Sequence, residues 1–210
     1  MYTLYGFNGS GSAAVEAALV WAGLPHRIVE AASWEPGPGF EELKQVNPLG
    51  QIPTLVGDDG SVLTESAAIL IHLGLVHPAS GLLPSDAAAR AQAIRGLVYI
   101  AANCYATIGI IDFPERWCDK PDDAVRAQMN KGSRTRLHAL WDMFADTFPA
   151  TPFLGGTEPS ALDLLACVVS KWSGSRAHLR DARPAFSELM TRIEQHPRLK
   201  PVFDRHWPPA

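Results

Sequence analysis

A turn rich in glycine and serine near the N-terminus, Gly9-Ser10-Gly11-Ser12, holds the first residues whose types and spacing could do chemistry. It follows an alternating apolar segment and leads into a helical pattern, which matches the G-x-G-x-x-A form of a dinucleotide-binding turn. Glu30 supports that interpretation, because a ribose-binding acid is expected about 20 residues further on. A second interpretation places a serine hydroxyl at a helix start, where it would serve a thiol or an anion.

A second constellation, "NPLGQIPTLVGDDGSVLTESAAIL", favours the second interpretation. Pro53 stands where a strand begins, so the backbone N–H and C=O of Ile52 are available to a ligand at a sheet edge. The bond between these two residues is a candidate for the cis form. Glu65 and Ser66 follow a strand and open a helix, so they form an anion-binding corner at which Glu65 can also pair with an ammonium group. The pattern indicates a ligand with an α-amino and an α-carboxyl end.

The elements that must position these residues fall into two groups. The first 78 residues predict the order strand, helix, strand, helix, hairpin, helix, with the hairpin turn at Gly57-Asp58-Asp59-Gly60. An antiparallel hairpin here, with no further strands after it, argues against a dinucleotide-binding sheet. The later predicted helices are 86–112, 121–147, 160–173 and 184–195. We therefore expect an α/β domain over residues 1–78 and an all-helical domain over residues 84–210.

Composition sets the broad class of the protein. The chain has 210 residues, of which 47% are hydrophobic and 19% are charged, so it can bury a substantial core. The formal charge of -4 leaves no basic footprint for nucleic acid. The three cysteines are widely spaced, show no metal-ligand spacing and indicate reduced thiols in a cytoplasm. The seven histidines show no metal-ligand spacing either. Arg95 and Asn103 interrupt the most apolar stretch, 91–111, so a membrane span is not expected, and no signal peptide is expected.

On these motifs the sequence resembles the cytosolic glutathione transferases. The resemblance covers essentially the whole chain and rests on "NPLGQIPTL", "LTESAAIL" and "PSALDLLACVVSKW". In the third segment Ser160 stands at an N-cap position with Asp163 three residues later, a relative of the capping box. The resemblance implies a thioredoxin-like βαβαββα domain that binds glutathione, a helical bundle that holds an electrophile, and a homodimer. It implies glutathione as co-substrate and no metal.

The resemblance also implies roles for single residues. Ile52 would bond the cysteinyl backbone of glutathione, and Pro53 would hold that geometry. Glu65 and Ser66 would take the γ-glutamyl end. Further neighbours of glutathione would be Gln51 near the glycyl carboxylate, Trp34 and Lys44. The electrophile pocket would include Phe7, Tyr99, Asn103 and Tyr105.

The chemical task of such a site is to hold a thiolate at neutral pH. A free thiol with a pKa near ~8.5 is only slightly ionised there, whereas a helix N-terminus and a hydroxyl donor lower the pKa. Ser10 is the first choice for that donor, because the family places its serine or cysteine at this turn. Ser12 and a backbone N–H alone are alternatives, and plain N-capping is an equally good use for either serine. Tyr5 matches the tyrosine of other branches only loosely.

The expected activity is conjugation of the glutathione thiolate to a small apolar electrophile, in cytoplasmic detoxification. Alternatives within the family are a glutathione-dependent isomerase, a reductive dehalogenase and an ether-cleaving enzyme. A non-catalytic glutathione- or ligand-binding module is the alternative outside enzymes. The absence of cysteine from the Gly9 turn argues against thiol-disulfide chemistry.

Overall fold

The first part of the chain forms a four-stranded mixed sheet with three helices; a computed structural model describes residues 1–32 and 34–209. The strand order is β2-β1-β3-β4, with β1 parallel to β2 and antiparallel to β3, and β3 antiparallel to β4. The strands are β1 Tyr2–Gly6, β2 His26–Glu30, β3 Thr54–Val56 and β4 Val62–Thr64. The helices are α1 Ser12–Trp21, α2 Pro38–Val46 and α3 Ser66–Val76. The sequence predicted this order of elements correctly.

The hairpin between β3 and β4 ends the sheet and decides the fold class. Gly57 N–H donates to the Ser61 carbonyl at 2.8 Å, and Gly60 adopts a φ of 81°, which the turn requires and which glycine tolerates best. A dinucleotide-binding sheet needs further parallel strands beside β1 and β2. Within the described residues β1 and β2 are the one parallel pair, so the sheet is not of the dinucleotide-binding type.

Helix α1 lies in the middle of the molecule. Its small apolar side chains, Ala13, Ala14, Ala17 and Ala18 among them, are fully buried. This helix packs against β1 and α3 and against two later helices, Ala161–Val169 and Lys200–His206, so close approach is needed on nearly every side. Small side chains permit that approach, and the density of the packing makes the N-terminus of α1 a rigid point of the fold.

The remainder of the chain is helical. The helices are α4 Ala87–Tyr99, α5 Ala106–Asp112, α6 Asp123–Thr147, α7 Ala161–Val169, α8 Ser175–Ala182, α9 Pro184–Glu194 and α10 Lys200–His206. The predicted helix 86–112 exists, but a π-helical segment, Ile100–Tyr105, interrupts it. Helix α7 starts with the predicted capping box, in which Asp163 accepts hydrogen bonds from the Ser160 N–H and hydroxyl. It ends earlier than predicted, and α8 and α10 were not predicted.

The two parts share one hydrophobic core. A single buried cluster runs from Leu4 in the sheet to Phe203 in α10. The fold class is therefore a thioredoxin-like sheet domain followed by a helical domain, as predicted. The boundary between residues 78 and 84 stays a prediction, and the last residue of the predicted second domain, 210, lies outside the described residues.

Two further features of the described residues concern membranes and metals. The helical stretch Ala87–Asp112, which includes the π-helical segment, is long and apolar enough to cross a membrane by length and composition alone, and core helices of soluble proteins share this property. It packs against α6 and α7. No group of three or more His, Cys, Asp or Glu side chains within residues 1–32 and 34–209 is arranged to hold a metal ion.

Candidate functional site

A cavity of about 510 Å³ lies between the loop that precedes β3 and the helical part. The sheet side contributes the segment Leu49–Pro53 and the segment Thr64–Ala67. The helical side is mostly apolar, with Ala101 and Leu165 among its residues. The remaining lining residues are Trp34, Tyr105, Ala106, Phe113 and Arg116. The cavity therefore has a polar wall of exposed backbone and an apolar wall of helix side chains.

The backbone of Ile52 forms the edge of the polar wall. The Ile52–Pro53 peptide bond is cis, as the sequence suggested. Neither the N–H nor the C=O of Ile52 has a hydrogen-bond partner among the described residues. The next residue, Pro53, has no N–H and cannot extend the sheet hydrogen bonds to this point. The N–H and C=O of Ile52 are therefore free to pair with an extended ligand in the antiparallel manner.

Asn47 fixes the loop that presents Ile52. Its side chain is buried, donates to the Gln51 carbonyl at 3.2 Å and to Thr54 Oγ1 at 3.0 Å, and accepts from the Leu49 N–H at 3.1 Å. One amide thus ties together both ends of the loop before β3. No role was predicted for Asn47 from the sequence, although asparagine side chains often bond the backbone of their own turn in this way.

The start of α3 forms the corner of the cavity. Glu65 has a φ of 65° and a ψ of 111°, a strained conformation for a residue that is not glycine. This backbone turns the Glu65 side chain and the first N–H groups of α3 toward the cavity, which Ser66 and Ala67 also line. The first-turn N–H groups have no partner within the helix, so they can bind an anion. The corner therefore offers a carboxylate for an ammonium group beside donors for a carboxylate.

The serines of the N-terminal turn bond to each other instead of lining this cavity. Ser10 Oγ accepts from the Ser12 N–H at 3.2 Å and lies 2.8 Å from Ser12 Oγ. Ser12 Oγ in turn lies 3.3 Å from the Phe7 carbonyl and accepts from the Phe7 N–H at 3.2 Å. With Ser12 donating to that carbonyl and Ser10 donating to Ser12, both hydroxyl protons are used inside the turn.

The structure brings some of the predicted site residues together and separates others. The predicted residues that line the large cavity are Trp34, Gln51, Ile52, Pro53, Glu65, Ser66 and Tyr105. The predicted residues that do not are Phe7, Ser10, Ser12, Lys44, Tyr99 and Asn103. The sequence could not show which of these residues line the cavity, because that depends on the direction in which each side chain points.

Each of the separated residues has a defined place. Phe7 packs edge-on against Trp34 with ring centres 5.8 Å apart, so it supports a lining residue. Tyr99 donates its hydroxyl to the Leu140 carbonyl at 3.0 Å, and Asn103 donates to the Tyr99 carbonyl at 3.1 Å. These two polar side chains of the first long helix thus bind backbone within the helical part.

Lys44 and Tyr5 also lie apart from the cavity. Lys44 forms an ion pair with Glu41 at 2.8 Å on α2. The Tyr5 hydroxyl donates to Glu42 at 2.8 Å on the α2 side of the sheet. The Tyr5 hydroxyl is therefore engaged on the α2 side of the sheet and does not line the cavity.

The apolar wall carries a cation that no motif in the sequence indicated. Arg116 lines the cavity, and its guanidinium stacks over Phe113 at 4.0 Å from the ring centre. Arg116 has no ion pair with any described acid. The charged side chains of the lining are this arginine and Glu65.

The protein's own buried thiols are not nucleophiles for this site. Burial raises the pKa of Cys104 to about 12, and it does the same for Cys167. Both therefore stay protonated at neutral pH. None of the described cysteines lines the cavity, so a thiolate there comes from a ligand.

A smaller cavity of about 210 Å³ lies at the N-terminal turn, with Phe7 and Ser12 among its lining residues. Glu16 and His206 line it and bond at 2.9 Å, and His206 Nδ1 accepts from the Gly9 N–H at 3.1 Å. Arg205 also contacts the Glu16 carboxylate. Burial, reinforced by the Arg205 charge, lowers the pKa of His206 to about 4, so the ring is neutral with its proton on Nε2. Helix α10 thereby holds the turn.

Comparisons with known proteins agree with this architecture. Residues 12–75 match the family described as the glutathione S-transferase N-terminal domain. The chain is 30% identical over 209 residues to the Uncharacterized GST-like protein YncG of Escherichia coli (strain K12), with 98% of each chain covered. It is also similar to the structure of a glutathione transferase homolog from Sulfitobacter with bound glutathione, at 25% identity and a TM-score of 0.83 over 97% of each chain. A glutathione transferase from Methylococcus capsulatus gives 28% identity and a TM-score of 0.78 over 98% of each chain.

Proposed function

The chain belongs to the cytosolic glutathione transferase family, and on that premise we propose that it binds glutathione and adds its thiolate to a small apolar electrophile. The observation that carries the proposal is the polar wall of the large cavity. There the unpaired backbone of Ile52 and the Glu65 corner lie along one edge and face an apolar wall. The printed description of the Sulfitobacter structure, which has bound glutathione, supports the same ligand for this chain.

The ligand fits the polar wall in one direction. The cysteinyl unit pairs with the free N–H and C=O of Ile52, and the γ-glutamyl end reaches Glu65 and Ser66. Its ammonium group meets the Glu65 carboxylate, and its carboxylate meets the N–H groups of α3. Gln51 lies beside the glycyl end, and Trp34 borders it. This direction points the thiol toward the start of α1 and the apolar wall.

Ser10 and Ser12 remain our proposed hydroxyl donors to the sulfur, and the start of α1 is the proposed source of N–H donors. Both hydroxyl protons are engaged inside the turn, so either serine has to exchange a partner there to reach the sulfur. Ser10→Ala and Ser12→Ala, compared by the ultraviolet thiolate absorbance of bound glutathione, test this role. An unchanged thiol pKa in both variants would exclude a hydroxyl from this turn.

A direct assay tests the activity. Purified protein is titrated with glutathione by calorimetry and then assayed for conjugation to aryl halides, epoxides and α,β-unsaturated carbonyl compounds. We expect binding and turnover of at least one class. A bound thiol with an ordinary pKa, or the absence of binding, contradicts the transferase proposal. Products that differ from conjugates would indicate an isomerase, a dehalogenase or an ether-cleaving enzyme.

A non-catalytic glutathione-binding module is the second candidate, and a specific observation favours it. The hydroxyls of Ser10 and Ser12 are satisfied by each other and by Phe7, so the turn is complete without a sulfur atom. Such a module would bind glutathione without lowering the pKa of its thiol. The thiolate absorbance therefore separates the two candidates.

We also propose that the protein is a cytoplasmic homodimer. Helices α3 and α4 pack side by side and expose large apolar side chains, namely Leu75, Val76 and Val98. Apolar side chains exposed on two neighbouring helices provide area that an interface between two copies would remove from water. Light scattering should give a molar mass twice that of one chain. In Val98→Glu the molar mass should fall to that of a single chain.

A further inference from the structure

We propose that Tyr105, reaching across from the helical part to the start of α1, donates its hydroxyl to the sulfur of glutathione. The inference deepens the proposed function and rests on it. It adds to the cavity a phenolic donor that does not belong to the N-terminal turn. Four observations carry it: the position of the hydroxyl, its lack of a partner, its protonation and the irregular backbone that presents it.

The hydroxyl of Tyr105 lies against the first residue before α1. A Cβ placed on Gly11 would collide with Tyr105 Oη and would come within 3.3 Å of Tyr105 Cζ. Gly11 has a φ of -61° and a ψ of -15°, which any residue can adopt. Glycine at this position is therefore required by the close approach of the phenol and not by the backbone conformation.

The ring is fixed and its hydroxyl is free. Tyr105 packs against Trp172 with ring centres 5.5 Å apart, which limits its motion. Among the described residues no donor or acceptor bonds Tyr105 Oη, whereas the hydroxyl of Tyr99 on the same long helix binds the Leu140 carbonyl. A half-buried hydroxyl without a partner, in the lining of a cavity, is available to a ligand.

The phenol is a donor and not a base. Burial raises the pKa of Tyr105 to about 12, with the negative charges of Glu65 and Asp112 acting in the same direction. The proton therefore stays on oxygen at neutral pH. A protonated hydroxyl that bonds sulfur stabilises the thiolate relative to the thiol, because hydrogen bonds to a charged acceptor are the stronger ones.

The backbone that presents Tyr105 is irregular. Ile100–Tyr105 is π-helical between the regular helices α4 and α5, and Tyr105 is its last residue. Single π-helical turns are rare and occur frequently at functional sites. Here the extra residue turns Tyr105 toward the cavity while Tyr99, before it, stays within the helical part.

The chemical role follows from the direction of the ligand. With the cysteinyl unit on Ile52, the sulfur lies between that edge and the start of α1, where Tyr105 Oη is found. The hydroxyl donates a hydrogen bond to the thiolate and transfers no proton. When the sulfur forms its bond to the electrophile its charge is lost, and the hydrogen bond weakens with it.

Tyr105→Phe tests the proposal by removing a single oxygen atom. The pKa of the bound glutathione thiol should rise by about one unit, which is a tenfold loss of thiolate at a given pH. Affinity for S-methylglutathione should stay the same, because that ligand has no thiol proton to lose. Tyr2→Phe is the matched control, since the Tyr2 hydroxyl bonds His77 at 2.9 Å, remote from the cavity.

Gly11→Ala provides a second test that keeps the hydroxyl. The added Cβ displaces Tyr105 Oη without straining the backbone, so the thiol pKa should rise as it does in Tyr105→Phe. In the Tyr105→Phe background the same substitution should add little, because the colliding oxygen is already gone.

The outcomes separate this inference from the proposed function. If the wild-type protein lowers the pKa of bound glutathione and Tyr105→Phe leaves that pKa unchanged, the role of Tyr105 is refuted and the transferase proposal stands. If the wild-type protein does not lower the thiol pKa, both are refuted. The role of Tyr105 as donor is supported if the pKa of the bound glutathione thiol rises more in Tyr105→Phe than in Tyr2→Phe, and if Gly11→Ala reproduces that rise.

Discussion

Glu65 combines a functional charge with a strained backbone. Its φ of 65° costs about 1–3 kcal/mol for a residue with a Cβ, and such strain persists where the surrounding structure imposes it. In our proposal the strain is what directs the carboxylate at the γ-glutamyl ammonium group. Stability and ligand binding should therefore respond in opposite directions when this residue is changed.

Two substitutions of Glu65 test that opposition. Glu65→Gln keeps the strain and removes the charge, so glutathione should bind about tenfold or more weakly, because a hydrogen bond to a charged group contributes about 1.5–3 kcal/mol. Glu65→Gly should weaken binding similarly and raise the free energy of unfolding by about 1 kcal/mol. Calorimetry and urea unfolding measure the two effects.

The control for both is Glu188→Gln, an exposed acid on α9. It should change neither the glutathione affinity nor the free energy of unfolding. Unaltered glutathione binding in Glu65→Gln would mean that the ligand does not use this corner.

At the residue scale, the sequence predicted the features that depend on local rules. Pro53 at a strand start and Glu65 before a helix are local patterns, and both lie where they were expected. Tyr105 was expected in the electrophile pocket together with Tyr99 and Asn103, yet of these three it alone reaches the lining. The π-helical turn explains the difference, because one extra residue rotates the following side chains by roughly 100° relative to a regular helix.

Helix α10 acts on the N-terminal turn through His206. The ring accepts from the Gly9 N–H and bonds Glu16 on α1, so one side chain joins the turn to two helices. Burial lowers its pKa from 6.5 to about 4, with the Arg205 guanidinium adding to the effect. As the pH falls from 6.5 to about 4, the unfolded chain binds a proton at this residue and the folded chain does not.

The free energy of unfolding should therefore decrease as the pH falls through that interval. The loss from His206 is about 3 kcal/mol, at 1.36 kcal/mol per unit of pKa difference. His206→Gln should be less stable than the wild type at neutral pH and should show a flatter decline between pH 6.5 and 4. Urea unfolding over this range measures both slopes, with His72→Gln as a control that should keep the wild-type slope. If the free energy of unfolding falls equally steeply with pH in wild type and His206→Gln, His206 is not the source of the pH dependence.

Elements differed in how far the sequence could predict them. The start of α7 was predicted because its capping box is a local signal, and Asp163 accepts four hydrogen bonds there, two of them from the Leu154 and Gly155 N–H groups. Helices α8 and α10 have eight and seven residues. Helices so short form only through tertiary packing, so the sequence alone did not indicate them.

The whole molecule should respond to glutathione as one unit, because its two parts share a core. A ligand that binds only the folded state at 100 times its Kd adds about 2.7 kcal/mol. For a chain of this size that corresponds to an increase in Tm of about 5–10 °C. Thermal unfolding followed by one far-ultraviolet and one tryptophan signal should show a single shifted transition.

NAD and NADP are the control ligands for this measurement. They should leave Tm unchanged, because the hairpin ends the sheet before a dinucleotide-binding crevice could form. If NAD or NADP raised Tm as much as glutathione does, the Gly9 turn would have to be interpreted as a dinucleotide-binding turn after all.

The bond between Gly9 and His206 joins residues 197 positions apart. During synthesis the first strands and α1 leave the ribosome long before α10 does, and N-terminal units generally begin to fold first. The hydrogen bonds of His206 to the Gly9 N–H and to Glu16 therefore cannot form until nearly the whole described chain has emerged. Within the described chain, the turn that we propose to face the thiol is made early and completed late.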